Sequence, residues 1–314
     1  MVHYCFRSFD RSIPMRFALD IGGTAIKCAV VDDDGKIVRD GSFPTDPVSS
    51  NYEFAQSIVT GSRRFISGGN EKIHSVGAGM AGFCDGKRGI VFESPNLPNI
   101  RDFELARELT DGLNLPAFVD NDATCAAWGE YLFGGYETDD LLVVTLGTGI
   151  GGGLVLDGKL YRGSHGFAGE IGQWPLVPDG PNCPSGGKGC LEAYVGRYGF
   201  EEMYRIKAGF ESAVEPSVIH DRARQGEEAA KEAWNDYGAK LGIVLAGAVN
   251  LLDLGAVILT GGVTGAWDCF SESLERTFNT FLITPYKNKN IVKISTLGGS
   301  AGILGAAFLD RAND

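Results

Sequence analysis

The chain has 314 residues, a formal net charge of −12, and 44% hydrophobic and 22% charged residues. That length supports one large or two medium domains around an apolar core, and the acidic balance argues against non-specific nucleic-acid binding through phosphate neutralisation. No apolar run reaches the ~18 residues of a membrane span. The seven cysteines are scattered, several inside apolar runs such as "AIKCAVV" and "ATCAAW", as free thiols of a reducing, cytoplasmic compartment are.

Taken in chain order, residues 1–14 ("MVHYCFRSFDRSIP") carry Arg7, Asp10 and Arg11 without an apolar h-region, so they read as a disordered leader and not a signal peptide. Met15 is a second candidate start. From Phe17, "FALDIGGTAIKCAVVDDDGKIV" reads as strand, glycine turn, strand and a D-G turn. From Leu142, "LVVTLGTGIGGGLVLDGKLY" repeats that pattern. The repeat suggests two related halves; chance similarity of two glycine-rich hairpins is the plain alternative. Between the copies come a helix over 52–67, the strand "KIHSVGAGMAG", the short helix "LARELTDGL", and "PAFVDNDATCAAWGEYLFGG", a strand followed by a helix from about Asn121. After them come an irregular Gly/Pro-rich stretch over 163–190, helices over 191–206 and 227–251, the strand "GAVILTGGV", and "STLGGSAGILGAAFLDR" as strand and closing helix. The alternation predicts an α/β class. One domain is expected over 15–120 plus about 300–314, and a larger one over 121–299.

Three glycine segments follow strands. In "DIGGT" the backbone N–H groups of Gly22 and Gly23 can approach an anion, Thr24 adds a hydroxyl, and Asp20 can hold a hydrated Mg²⁺. "GTGIGGG" repeats the arrangement at Thr148, Gly149 and Gly151 without the acid, and "LTGGV" offers Gly261 and Gly262 to a flat ring such as adenine. Neither of the first two is a Walker A loop, since no G-K-[ST] follows. Each segment alone is also a tight turn that needs no ligand.

In this order the three segments resemble the phosphate 1, phosphate 2 and adenosine motifs of the actin-like, sugar-kinase ATPase superfamily. "GEIGQ…CPSGGKGCLEAY" narrows the resemblance to the ROK family of bacterial sugar kinases and repressors, over about 15–310. The resemblance implies a two-lobed actin-like (ribonuclease H-like) fold of duplicated α/β domains with a cleft between. It also implies ATP and Mg²⁺ as cofactors, a homodimer, and phosphorylation of a hexose at its 6-hydroxyl, glucose first, with N-acylhexosamines, mannose or fructose as alternatives. The nucleotide set is then Asp20, Gly22, Gly23, Thr24, Lys27, Thr148, Gly149, Gly151, Gly261 and Gly262. Asp122 is the implied general base, and Gly82, Asn96, Asn121, Glu170, Gln173 and Glu192 the implied sugar wall. Plain readings stand beside these roles: Asn121 and Asp122 as a helix N-cap, Asn96 as a turn cap, Glu170 as a loop acid, Glu192 as a helix-start acid. The helix N-terminus is expected to keep Asp122 ionised.

The chain departs from the family at a zinc loop. Gln173 stands where relatives carry histidine and Ser185 where they carry the middle of three cysteines, leaving Cys183 and Cys190. Glutamine and serine are poor zinc ligands; His165 is a candidate substitute that no spacing requires. A metal-free loop held by hydrogen bonds is expected. A sugar-sensing repressor would need a helix-turn-helix ahead of Phe17, where the sequence is short, and a sugar-binding protein without catalysis sits poorly with Asp20 and Asp122 both present.

Overall fold

The structure, a computed structural model, describes residues 14–312 except Pro47 and Pro184; the expected leader lies outside them but for Pro14. The chain divides into two compact units: one runs to Cys125 and takes in the segment from Gly302, the other is Ala126–Ala301.

The first unit is built on β1 (Met15–Ile21), β2 (Ala25–Val31), β3 (Ile37–Pro44), β4 (Ile73–Met80) and, after a small separate sheet of β5 (Phe83–Asp85), β6 (Ile90–Glu93) and β7 (Arg101–Phe103), β8 (Ala117–Asn121). Its five-stranded sheet has the order β3-β2-β1-β4-β8. β1 pairs antiparallel with β2 and parallel with β4, and β4 pairs parallel with β8. The central strands read as continuous apolar runs because both faces are covered; Phe17, Leu19 and Val30 pack with Phe54 and Ile58 of α1 (Asn51–Ser67). Ser50 and Glu53 start α1 with a reciprocal capping box. Leu105 and Leu109 of α2 (Leu105–Leu113) close the same core. The C-terminal segment returns to β1 through an ion pair of buried Arg16 with Asp310, at 3.1 Å.

α3 (Asp122–Phe133) leads into the second unit. There β9 (Leu141–Leu146), β10 (Ile150–Leu156), β11 (Lys159–Tyr161), β12 (Ala256–Thr260) and β13 (Val292–Ile294) form a sheet of order β11-β10-β9-β12-β13. Again the first hairpin is antiparallel and the last two pairings are parallel. The repeated hairpin is thus the start of a repeated five-stranded sheet. α4 (Glu192–Val195), α5 (Arg197–Ala208), α6 (Pro216–Arg224), α7 (Glu228–Leu252) and α8 (Trp267–Phe281) pack around Phe200, Trp234, Tyr237 and Phe270; α9 (Ala301–Ala307) then carries the chain back into the first unit, where a 3-10 turn over Leu309–Arg311 follows.

Two expected elements need correction. The helix over 191–206 is broken at Gly196, which is extended (φ −64°, ψ 158°) and abuts the Glu192 carbonyl, 2.7 Å from where a Cβ would sit. The last strand is "VKI" rather than "STL"; it is three residues long and half-buried, too short to show a period.

Candidate active site

In the first unit the parallel strands β1, β4 and β8 end together. Their register sets Asp20 beside Gly79 and Gly79 beside Asp120. Open α/β sheets bind ligands at such carboxyl ends. Gly79 has a packing reason: a Cβ there would lie 3.2 Å from Cys125 Sγ and 3.6 Å from Asp122 Cα, so its absence lets α3 start close to the strand ends.

Asp122 opens α3. Its Oδ1 accepts the Ala123 N–H at 2.9 Å, which favours the ionised form, but its half-buried carboxyl is crowded by protein atoms and close enough to Asp20 to feel its charge. Loss of solvation dominates and holds the carboxyl above its ordinary range. This corrects the expectation that the helix N-terminus decides its ionisation. Asn121 is the side-chain cap: its Oδ1 accepts from Ala123 N–H at 2.8 Å and Thr124 N–H at 3.1 Å, and its Nδ2 donates to the Gly82 carbonyl at 2.9 Å. The expected sugar contact that both donates and accepts is therefore reduced to the remaining amide hydrogen. Gly82 is held at φ +132°, where a Cβ would meet the Glu93 carbonyl at 2.1 Å, so only glycine fits.

Gly22 N–H donates to the Ala25 carbonyl at 3.1 Å and closes the first turn, with Thr24 exposed at its tip. Asn96 is exposed and its side chain lies over Gly23, 3.1 Å from a Cβ there. Lys27 pairs with Asp20 across the hairpin, its Nζ 3.5 Å from Oδ2. The hard oxygen donor of Asp20, partly open to solvent at the strand end, suits a hydrated Mg²⁺.

In the second unit the position matching Asp20 is Thr145, whose Oγ1 accepts the Gly151 N–H at 3.1 Å. Gly147 N–H donates to the Gly149 carbonyl at 3.1 Å, and Thr148 and Gly149 are exposed. Glu192 reaches this turn: its Oε2 accepts the Ile150 N–H at 2.7 Å and lies 2.6 Å from a Cβ at Gly149. Neither a helix-start acid nor a sugar ligand describes that bond, which pins the hairpin. Gly152 and Gly172 serve packing, since Cβ atoms there would meet the Gly169 and Ile150 carbonyls at 2.3 and 2.2 Å. They let residues 169–173 lie on β10. Exposed Glu170 precedes that turn and its carbonyl accepts the Gln173 N–H at 3.1 Å.

The loop that follows folds back on itself through bridges Pro175–Cys190 and Asn182–Lys188, and Cys183 and Cys190 are joined in a disulfide. The expected loop of free thiols held by hydrogen bonds alone is corrected: the Cys183 N–H to Gly187 carbonyl turn (3.1 Å) brings the two sulfurs together. With both thiols committed, Gln173, Ser185 and exposed His165 do not compose a zinc donor set.

At the end of β12, Gly261 (φ +101°) packs on Leu146, whose carbonyl would be 2.3 Å from a Cβ. Gly262 faces open space, as do Gly265, Gly298 and Gly299; "LGGS" repeats the double-glycine signal after a strand and lies outside the three glycine segments. Thr260 Oγ1 donates to the Gly298 carbonyl at 3.3 Å, so both glycine turns line one sheet end.

Over 318 aligned residues the chain is 33% identical to a glucokinase of Streptomyces coelicolor, covering 96% of this chain and 98% of that one. It is 31% identical to an N-acetylmannosamine kinase of Yersinia pseudotuberculosis serotype O:3, covering 94% and 98%. A solved ROK family glucokinase from Streptomyces griseus, in complex with glucose and AMPPNP, superposes with a TM-score of 0.79 at 33% identity over 95% of this chain and 99% of that one. Its likeness supports the duplicated α/β, actin-like ATPase fold expected from the sequence. The ROK family model matches residues 16–313, and the chain belongs to the ROK family.

Proposed function

We propose that the chain transfers the γ-phosphoryl group of ATP to the 6-hydroxyl of a hexose, glucose in first place. The carrying observation is Asp122: a carboxyl at the end of a parallel strand, raised by burial and by Asp20, in a chain similar to glucokinases along nearly its whole length. Phosphoryl transfer needs positioning, charge stabilisation and a group that accepts the attacking hydroxyl's proton. A raised carboxylate is the stronger base, and Asp122 takes the 6-hydroxyl proton. Gly82, Asn96 and the spare Asn121 amide hydrogen orient the sugar in the first unit. Glu170, Gln173 and Glu192 contribute from the second; among the described residues Glu192 Oε1 has no protein partner, so it is open to a sugar hydroxyl.

Gly22, Gly23, Thr24 and Lys27, with Thr148, Gly149 and Gly151, give the phosphates backbone N–H groups, hydroxyls and a cation. Gly261 and Gly262 give the base a bare surface. Mg²⁺ held by Asp20 through water would neutralise phosphate charge.

N-acylhexosamine phosphorylation is the second reading, supported by the Yersinia relative. A cytoplasmic location belongs to the same reading, in keeping with the use of ATP and with Cys28 and Cys269 outside any disulfide. A homodimer belongs to this reading through the family resemblance alone.

Coupled ADP release with MgATP against glucose, mannose, fructose, N-acetylglucosamine and N-acetylmannosamine tests the proposal. Glucose should give the highest kcat/KM; no sugar above background would overturn it.

A further inference from the structure

Glu130 is fully buried on α3, eight residues beyond Asp122, and the catalytic reading makes no use of it. Burying a carboxyl group is unfavourable unless its oxygens find hydrogen-bond partners. Here Oε2 accepts the Tyr136 hydroxyl at 2.8 Å, and Oε1 accepts the Ser295 hydroxyl. The Ser295 oxygen in turn accepts two backbone N–H groups, from Leu297 at 3.1 Å and Gly298 at 2.7 Å. A serine has one proton. With two N–H donors already on its oxygen, that proton must go to an acceptor, and Glu130 supplies it.

Gly298 is thereby held from both sides. Its N–H is on Ser295 and its carbonyl is on Thr260 Oγ1, at 3.3 Å. The Thr296 hydroxyl adds a bond to the Gly134 carbonyl at 3.2 Å, tying the same turn to the end of α3. The turn so fixed, Gly298 at φ +53° followed by Gly299, presents bare backbone to open space beside Gly262.

We propose that Glu130 is a positioning residue for nucleotide binding, holding the Gly298–Gly299 turn through Ser295 as one wall of the surface that receives the base. The inference rests on the nucleotide reading above. It adds a residue from outside the glycine motifs, 165 positions from the serine it orders.

The test is the dissociation constant of AMPPNP with Mg²⁺, by calorimetry on the full chain, beside KM for ATP and for glucose. Ser295→Ala and Glu130→Met should each weaken AMPPNP by about fivefold or more, the scale of one or two lost neutral hydrogen bonds. KM for glucose should stay within about twofold. Glu130→Gln can keep its carbonyl on Ser295 and turn its amide to the Tyr136 oxygen, so it should bind nearly as the parent does. If Glu130→Met fails to fold, the contrast of Ser295→Ala with Glu130→Gln carries the test. Unchanged AMPPNP affinity in Ser295→Ala overturns the inference. So does a parallel loss of nucleotide affinity, glucose affinity and ligand-free melting temperature, which marks a merely structural network. A parent chain that binds AMPPNP but phosphorylates no hexose defeats the hexokinase reading alone, and the variants' affinities still decide Glu130. A parent that binds no nucleotide overturns both.

Discussion

The two units repeat one five-stranded sheet with the same order and the same pairing senses, yet their strand ends carry different chemistry. In the first, β1 ends on Asp20 and Ile21, β8 ends on Asp120 and Asn121, and Asp122 opens the helix beyond. In the second, Thr145 takes the place of Asp20, and the ends of β12 and β13 lead into glycine turns with no acid. Both sheets use glycine at positive φ after the middle parallel strand, Gly82 and Gly261, because in each a neighbouring carbonyl fills the space a Cβ would need. The duplicated backbone thus supplies two turn-bearing sheet ends. Under the function proposed above, the acids for proton and metal fall at the first sheet end, and the bare backbone for the base at the second.

The comparison is broken most sharply by erasing its main difference. Asp20→Thr gives the first turn the residue of the second and should lower kcat by about 10²-fold, the scale of losing one preorganised electrostatic group. Thr145→Ser, which keeps the oxygen on Gly151 N–H, should stay within about twofold in the same steady-state assay. Next are the matched glycines. Gly82→Ala and Gly261→Ala should each lower stability by about 1–3 kcal/mol in denaturant melts. Gly82→Ala should raise the sugar KM and Gly261→Ala the ATP KM; a common effect on both would erase the division.

The acid pair predicts a pH dependence. kcat/KM should fall as pH drops through a value above the ordinary carboxylate range, because Asp122 must be ionised. Burial is the main cause of that rise and Asp20→Asn removes only the added charge effect, so in the residual activity of that variant this limb should move part of the way to lower pH. The smallest effect concerns the second unit's core, where the buried Tyr237 hydroxyl has no hydrogen-bond partner among the described residues. Tyr237→Phe should leave activity alone and be neutral or stabilising by up to about 1 kcal/mol in thermal melts, since it deletes an unpaired polar group.

Much of this was legible in the residues. Long apolar strands closed by glycines, "DIGGT" and "GTGIGGG", marked the hairpins, and "LARELTDGL" marked its helix at the observed limits. What stayed hidden depends on contacts distant in sequence. Nothing in "GCLEAY" says that Glu192 bonds Ile150, 42 residues earlier. Nothing in "VDNDAT" says that Gly82 takes the amide of Asn121. The break at Gly196 follows from the Glu192 carbonyl beside it, and β13 was too short to announce itself. A loop closed by its own bonds was expected around residues 182–190, but the Cys183–Cys190 disulfide was not, because two cysteines seven positions apart do not by themselves show that the chain between them turns back.

The most direct test of the division of labour is Asp122→Asn, read in three ways. Because burial raises the Asp122 carboxyl, the native fold binds that proton more tightly than the unfolded chain does. The cost of ionising it in place is absent below the unfolded pKa and appears as pH rises through the folded one. Asp122→Asn should therefore melt higher than the parent at pH 8 and no higher at pH 4. At pH 8 it should bind MgAMPPNP within about twofold of the parent and lose at least ~10²-fold in kcat with glucose. A variant that keeps full turnover, or one that loses nucleotide binding along with turnover, would contradict the account.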